Sequence, residues 1–122
     1  MLVERTDFVS VPVVDVARAE RFYGELLGLP RSKGEEGVFA EYETSNCTLF
    51  LFDPKAVGRE VAAHGGPIAL RVADVAEARR SLEDAGVAFD GETIDSGVCH
   101  MAFFKDTEGN LLMLHNRYAP QR

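Results

Sequence analysis

Apolar and polar positions alternate along this chain in two successive blocks of the same design. Phe8 to Val14 and Ile68 to Val72 are alternating or continuous apolar runs of strand length, and each predicts a β-strand. Each run leads into a shared phrase, Val13-Val14-Asp15-Val16-Ala17-Arg18-Ala19 and, 59 positions later, Val72-Ala73-Asp74-Val75-Ala76-Glu77-Ala78, with five of seven positions identical. Past each Asp the apolar spacing becomes helical: Val16, Ala19, Phe22, Tyr23, Leu26 and Leu27 in the first block, and Val75, Ala78, Leu82 and Ala85 in the second. Asp15 and Asp74 are suited to cap these helices, because a carboxylate there accepts from first-turn amides and opposes the positive end of the helix dipole. Gly28 and Gly86 follow, where a left-handed residue ends a helix.

After the first helix, strand-like runs cover Val38 to Glu43 and Cys47 to Phe52, parted by Thr44-Ser45-Asn46. After the second come Val87 to Phe89, a Gly-rich stretch through Gly97, Val98 to Lys105, the turn Asp106-Thr107-Glu108-Gly109-Asn110, and Leu111 to His115. Each block therefore predicts one strand, one helix and about three strands able to run as an antiparallel meander. The expected organisation is one α+β domain over residues 1–122: module 1 (about 1–53), a connector rich in Pro and Gly (about 54–66), and module 2 (about 67–122).

Strand parity sorts the side chains. Val9, Val11, Val13, Leu49, Leu51, Ile68, Leu70, Leu112 and Leu114 share an aliphatic face that suits packing on the helices. The opposite face carries Phe8, Ser10, Thr48, Phe50, Phe52, Ala69, Arg71, Leu111, Met113 and His115, a mixture of rings, thioether and scattered polar groups of the kind that lines small-molecule pockets. His100 shares parity with Ala102 and Phe104 and is expected on the helix side, whereas His64 falls on the connector.

Composition narrows the function classes. A chain of 122 residues is long enough for one core without disulfide staples. No window approaches the roughly 20 apolar residues of a membrane span, and Met1 to Asp7 lacks the features of a signal peptide. These features point to a soluble cytoplasmic protein without a membrane partner. With 13 Lys+Arg against 20 Asp+Glu, the net charge of −7 disfavours nucleic acid. Cys47 and Cys99 have neither CxxC nor Cys/His ligand spacing and read as reduced thiols, with a single disulfide as the alternative. No nucleophile and base pair of recognisable spacing and no phosphate-cradling Gly loop is present.

The phrases Val13-Val14-Asp15 with Phe22-Tyr23-Gly24-Glu25-Leu26-Leu27-Gly28-Leu29, and Phe104-Lys105-Asp106-Thr107-Glu108-Gly109-Asn110-Leu111, resemble the vicinal oxygen chelate superfamily of glyoxalase I, bleomycin-resistance proteins and extradiol dioxygenases. The resemblance implies two tandem βαβββ modules forming curved mixed sheets around a cleft, and homodimerisation. In metal-dependent members it implies a His seven residues before each capping Asp and a Glu or His in the last strand of each half. The matching positions here hold Phe8, Phe50, Pro67 and Met113, none of which is a hard-metal ligand. The expectation is therefore no metal and no cofactor.

The resulting candidate ligand site comprises Phe8, Ser10, Phe39, Glu41, Thr48, Phe50, Met101, Phe103, Met113 and His115, with no catalytic residue assigned. Phe rings with Glu41 and the negative net charge favour a planar, hydrophobic, neutral or cationic small molecule over a phosphonate, sugar phosphate or nucleotide. Three functions are compatible with this pattern. One is a metal-independent binding protein similar to bleomycin-resistance proteins. Another is a lyase or oxidoreductase using a relocated metal or His115 or Glu41 as acid/base. The third is a non-catalytic dimeric interaction protein with a collapsed cleft.

Overall fold

Asp15 and Asp74 each turn an incoming strand into a helix. The Asp15 carboxylate accepts from the Arg18 amide at 3.1 Å, and Asp74 accepts from the Glu77 amide at 3.0 Å. These junctions organise the computed structural model, which describes residues 1–120; the end of the second module, residues 121–122, lies outside the described residues. The chain forms two compact units, Met1–His64 and a second from Gly65 onward.

The first unit runs β1 (Val9–Pro12), α1 (Val16–Glu20) continuing into a π-helical turn (Arg21–Leu26), β2 (Arg31–Glu35), β3 (Phe39–Glu43), β4 (Thr48–Phe52), and a short 3₁₀ turn, Pro54–Val57. The second runs β5 (Ile68–Arg71), α2 (Val75–Asp84), β6 (Phe89–Asp95), β7 (Cys99–Lys105) and β8 (Leu111–Arg117). The sheet orders are β1-β4-β3-β2 and β5-β8-β7-β6, with the first strand of each unit parallel to the last and the remaining pairs antiparallel. These are the two tandem βαβββ modules of an α+β fold. β1 and β2 form the edges of one sheet, and β5 and β6 the edges of the other.

Burial follows parity. Val11, Val13, Ala40, Tyr42, Leu49 and Leu51 are buried with Val16, Ala19, Phe22 and Tyr23 of the first unit's helical segment. The second unit buries Ala102, Phe104, Leu112 and Leu114 with Val75 and Leu82 of α2. Gly28 (φ 72°) and Gly86 (φ 98°) adopt the left-handed conformation expected past a helix end.

Four details differ from the sequence reading. β1 begins at Val9, so Phe8 lies just before it and is 49% exposed. The first helix widens after Glu20, and Leu26, expected on its inner face, is turned outward. Ala85 sits at the C-cap of α2 and is exposed, because the helix has already ended at Asp84. β2 and β6 are largely polar edge strands without an apolar period; backbone pairing to β3 and β7 holds them, with register shifts between Arg31 and Lys33 and between Asp90 and Ile94.

The turn before β8 is built around two buried polar residues. Asp106 accepts from the amides of Glu108 (2.8 Å) and Asn110 (2.9 Å), and the Asn110 side-chain amide donates to Asp106 Oδ2 at 2.8 Å. Asn110 is completely buried. Replacing Asp106 with Ala leaves these donors without their acceptor. It should lower unfolding free energy by about 1–3 kcal/mol in urea titration, more than the roughly 1 kcal/mol expected for Asp15→Ala at an exposed cap.

Candidate functional site

In the first unit, register makes Phe50 the centre of the face turned away from the helix. Phe50 lies opposite Ser10 on β1 and Glu41 on β3, while Phe52 lies opposite Phe39 and Thr48 opposite Glu43. Ring centroids of Phe8, Phe39 and Phe52 stand 5.2, 5.5 and 5.0 Å from that of Phe50. The rings meet at tilts, the geometry that aromatic quadrupoles favour over face-to-face stacking. The first unit thus gathers the candidates Phe8, Ser10, Phe39, Glu41, Thr48 and Phe50 on or beside one sheet face, and Phe52 completes the aromatic cluster.

Two of its polar groups are already committed within the face. Thr48 Oγ1 donates to Glu43 at 2.7 Å, and Ser32 Oγ donates to the other Glu43 oxygen. These hydroxyls, Ser32 above all, hold the Glu43 carboxyl below the usual range. Glu41 stands opposite Lys33 on β2, so its charge is partly offset by a neighbour.

The second unit arranges its candidates in two rows. Met113 lies between Ala69 and Phe103, and His115 lies between Arg71 and Met101. Met101, Phe103, Met113 and His115 are all half-buried on the face away from α2. Arg71, although part of this parity set, was not among the candidate site residues.

Charge is not shared evenly between the two faces. The paired positions of the first unit's face include Glu35, Glu41 and Glu43 with Lys33. Those of the second include Arg71, Lys105, Arg117 and His115 with Asp90. A net charge of −7 describes the chain as a whole; strand register decides which sign a ligand meets locally.

The four positions at which the resemblance implies metal donors carry no suitable group. Phe8 and Phe50 pack ring against ring, Pro67 offers no side-chain donor, and Met113 offers a soft thioether. Among the described residues, no group of three or more His, Cys, Asp or Glu is placed to hold a metal ion. A hard-metal centre does not fit these residues. Cys47 and Cys99 are half-buried free thiols.

A further cluster, missed by sequence reasoning, lies on the helix side of the second sheet. Asp95 Oδ1 accepts from the Tyr118 hydroxyl at 2.7 Å and from the Gly97 amide at 2.8 Å, and Asp95 Oδ2 lies 3.4 Å from His100 Nε2. The His100 and Tyr118 rings stand 4.7 Å apart. They border a pocket of about 340 Å³ beside the start of α2, with Asn116 and Thr93 in its lining. The Tyr118 bond, followed by the Gly97 amide, lowers the Asp95 pKa; the same bond raises that of Tyr118. The parity of His100 placed it on this side, but the contact with Tyr118 depends on the pairing of β7 with β8.

The family model described as Glyoxalase/Bleomycin resistance protein/Dioxygenase superfamily matches residues 5–114. The chain belongs to this superfamily. Among solved structures it is similar to TnmS3, an antibiotic binding protein from Streptomyces sp. CB03234, with 27% identity, TM-score 0.77, and coverage of 96% of this chain and 98% of that one. A glyoxalase/bleomycin resistance protein from the same organism is also 27% identical, with TM-score 0.73 and coverage of 92% and 100%. Lactoylglutathione lyase from Agrobacterium tumefaciens shares the fold at 18% identity, with TM-score 0.78 and coverage of 93% of each chain. No curated protein matches the chain. Among the described residues, no helix is long and apolar enough to cross a membrane.

The carboxylate bonds predict a pH response of known sign. Glu43 and Asp95 have lowered folded-state pKa values, so their contribution to stability is complete above the ordinary carboxylate range and is lost as pH falls through the lowered values. For Tyr118, whose pKa is raised, the contribution is complete below the ordinary phenol value and is lost as pH rises through the raised one. Tyr118→Phe should move the Asp95 titration midpoint upward, read from carboxyl ¹³C shifts, while leaving that of Glu43 unchanged.

Proposed function

We propose that this chain is a metal-independent small-molecule-binding protein of the cytoplasm, and that it holds a planar hydrophobic or cationic ligand on the sheet faces left open by its helices. The observation that carries this reading is the ring cluster around Phe50, three neighbouring rings within 5.5 Å on a face with no helix to cover it. Flat rings offer a stacking surface worth about 0.5–1.5 kcal/mol per aromatic pair beyond burial, and the nearby glutamates favour a cationic substituent. Ser10, Glu41 and Thr48 supply polar edges on the first face, and Met101, Phe103, Met113 and His115 form the second. Similarity to an antibiotic binding protein at 27% identity supports small-molecule binding, and the absence of a hard-metal donor side chain at Phe8, Phe50, Pro67 and Met113 supports independence from metal.

Fluorescence titration with 1-pyrenemethylammonium and the neutral 1-pyrenecarboxamide tests the reading. Both should bind, the cation more tightly at low salt, and EDTA should change neither binding nor melting temperature. Phe50→Ala should weaken both by about 1–3 kcal/mol, whereas Leu51→Ala, on the buried face, should instead cost about 2–5 kcal/mol of stability. A Phe50→Ala chain that fails to fold, or wild-type protein that binds neither compound, would overturn the proposal.

The same open faces underlie a second element of the proposal, a homodimer. Uncovered apolar sheet faces are costly in water, and a second copy is one way to shield them. Light scattering at micromolar concentration should give close to twice 13.4 kDa; a monomer throughout that range would count against it.

A further inference from the structure

The first face gives the ligand an apolar and acidic seat; the second carries a different chemistry. Arg71 and His115 are directly paired across β5 and β8, and Met101 continues the row. The adjoining row supplies Met113 and Phe103 as apolar floor. Some arginines of this acidic protein have partners: Arg31 pairs with Glu20 at 3.0 Å, and Arg79 lies 3.4 Å from Glu83 and donates to the Gly91 carbonyl at 2.9 Å. Among the described residues no carboxylate pairs with the guanidinium of Arg71, which stands exposed on an edge strand. An unpaired fork of N–H donors next to an imidazole that donates an N–H in either protonation state is suited to a planar, two-oxygen acceptor. Lys105 and Arg117, on the same face by register, add a field of the same sign, against which stands Asp90 opposite Phe103.

We infer that the second unit's open face recognises an acidic group, a carboxylate on an aromatic ring system, with Arg71 as its bidentate donor, His115 as a second donor, and Met101, Met113 and Phe103 beneath the ring. This inference rests on the proposed ligand-binding role and adds to it a specificity-determining residue, Arg71, and a ligand class that net charge disfavours.

The test adds 1-pyrenecarboxylate to the neutral and cationic pyrenes and uses the full chain as wild type, Arg71→Gln and Arg71→Lys. The carboxylate should bind about tenfold more tightly than the carboxamide to wild type. Arg71→Gln should abolish that advantage while changing carboxamide and ammonium binding by less than about twofold, and Arg71→Lys should keep only part of it, because an ammonium offers a point charge instead of a fork. A carboxylate that binds no better than the carboxamide overturns the inference and leaves the ring-binding role intact. So does an advantage that survives Arg71→Gln, or an equal loss for all three probes. Failure of every pyrene to bind wild type overturns both.

Discussion

Each unit has one helix and a sheet with two faces, so only one face can be covered from within the unit. This constraint separates the residues that make the fold from those free to serve something else. Leu49 and Leu51, or Leu112 and Leu114, must be aliphatic because Tyr23 and Phe22, or Val75 and Leu82, are buried with them. Their strand neighbours one position away face outward under no such requirement. Those outward positions carry four phenylalanines in one unit and thioethers with an Arg–His pair in the other. One architecture can thus present different chemistry on its open faces while leaving the packed faces unchanged.

The repeated phrase made much of this architecture legible in the sequence. Asp15 and Asp74 cap their helices, Gly28 and Gly86 turn left-handed behind them, and alternation assigned the buried and open faces of β4 and β8. The polar edge strands were harder to read. Arg31–Glu35 lacks the apolar alternation that marks a half-buried strand, and Phe89–Asp95 contains a register shift that breaks it. The π-helical turn was also hidden, since Phe22 and Tyr23 fit a regular helix equally well and only the outward turn of Leu26 exposes the difference. Of the candidate site, the groupings within each face follow from parity. The Asp95–His100–Tyr118 cluster does not, because Tyr118, beyond the end of β8 and 23 positions from Asp95, joins the neighbouring Asp95 and His100 only through strand pairing.

The acidic balance also takes on a different meaning once the turns are known. Asp15, Asp53, Asp74, Asp95 and Asp106 all accept hydrogen bonds from backbone amides at caps or turns. Several of the negative charges in the composition therefore do local structural work. Glutamates on β2 and β3 colour the first open face, while the second face, built mainly on β5, β7 and β8, is basic. Position along a strand, more than the total, determines the electrostatic character a visitor encounters.

The edges of both sheets carry a further consequence. A bare strand edge is a template onto which another chain can add a strand. β1 is four residues long and ends in Pro12, which has no amide hydrogen to offer; β2 carries Lys33 and Glu35 and has a shifted register; β5 is equally short and follows Pro67; β6 is acidic and irregular. Each edge is therefore a poor template for runaway sheet growth, and the apolar groups that remain outside lie on faces, where contact is bounded by shape. The half-buried rings of Phe39, Phe50, Phe52 and Phe103 thus sit away from the edges along which an open-ended fibre would grow.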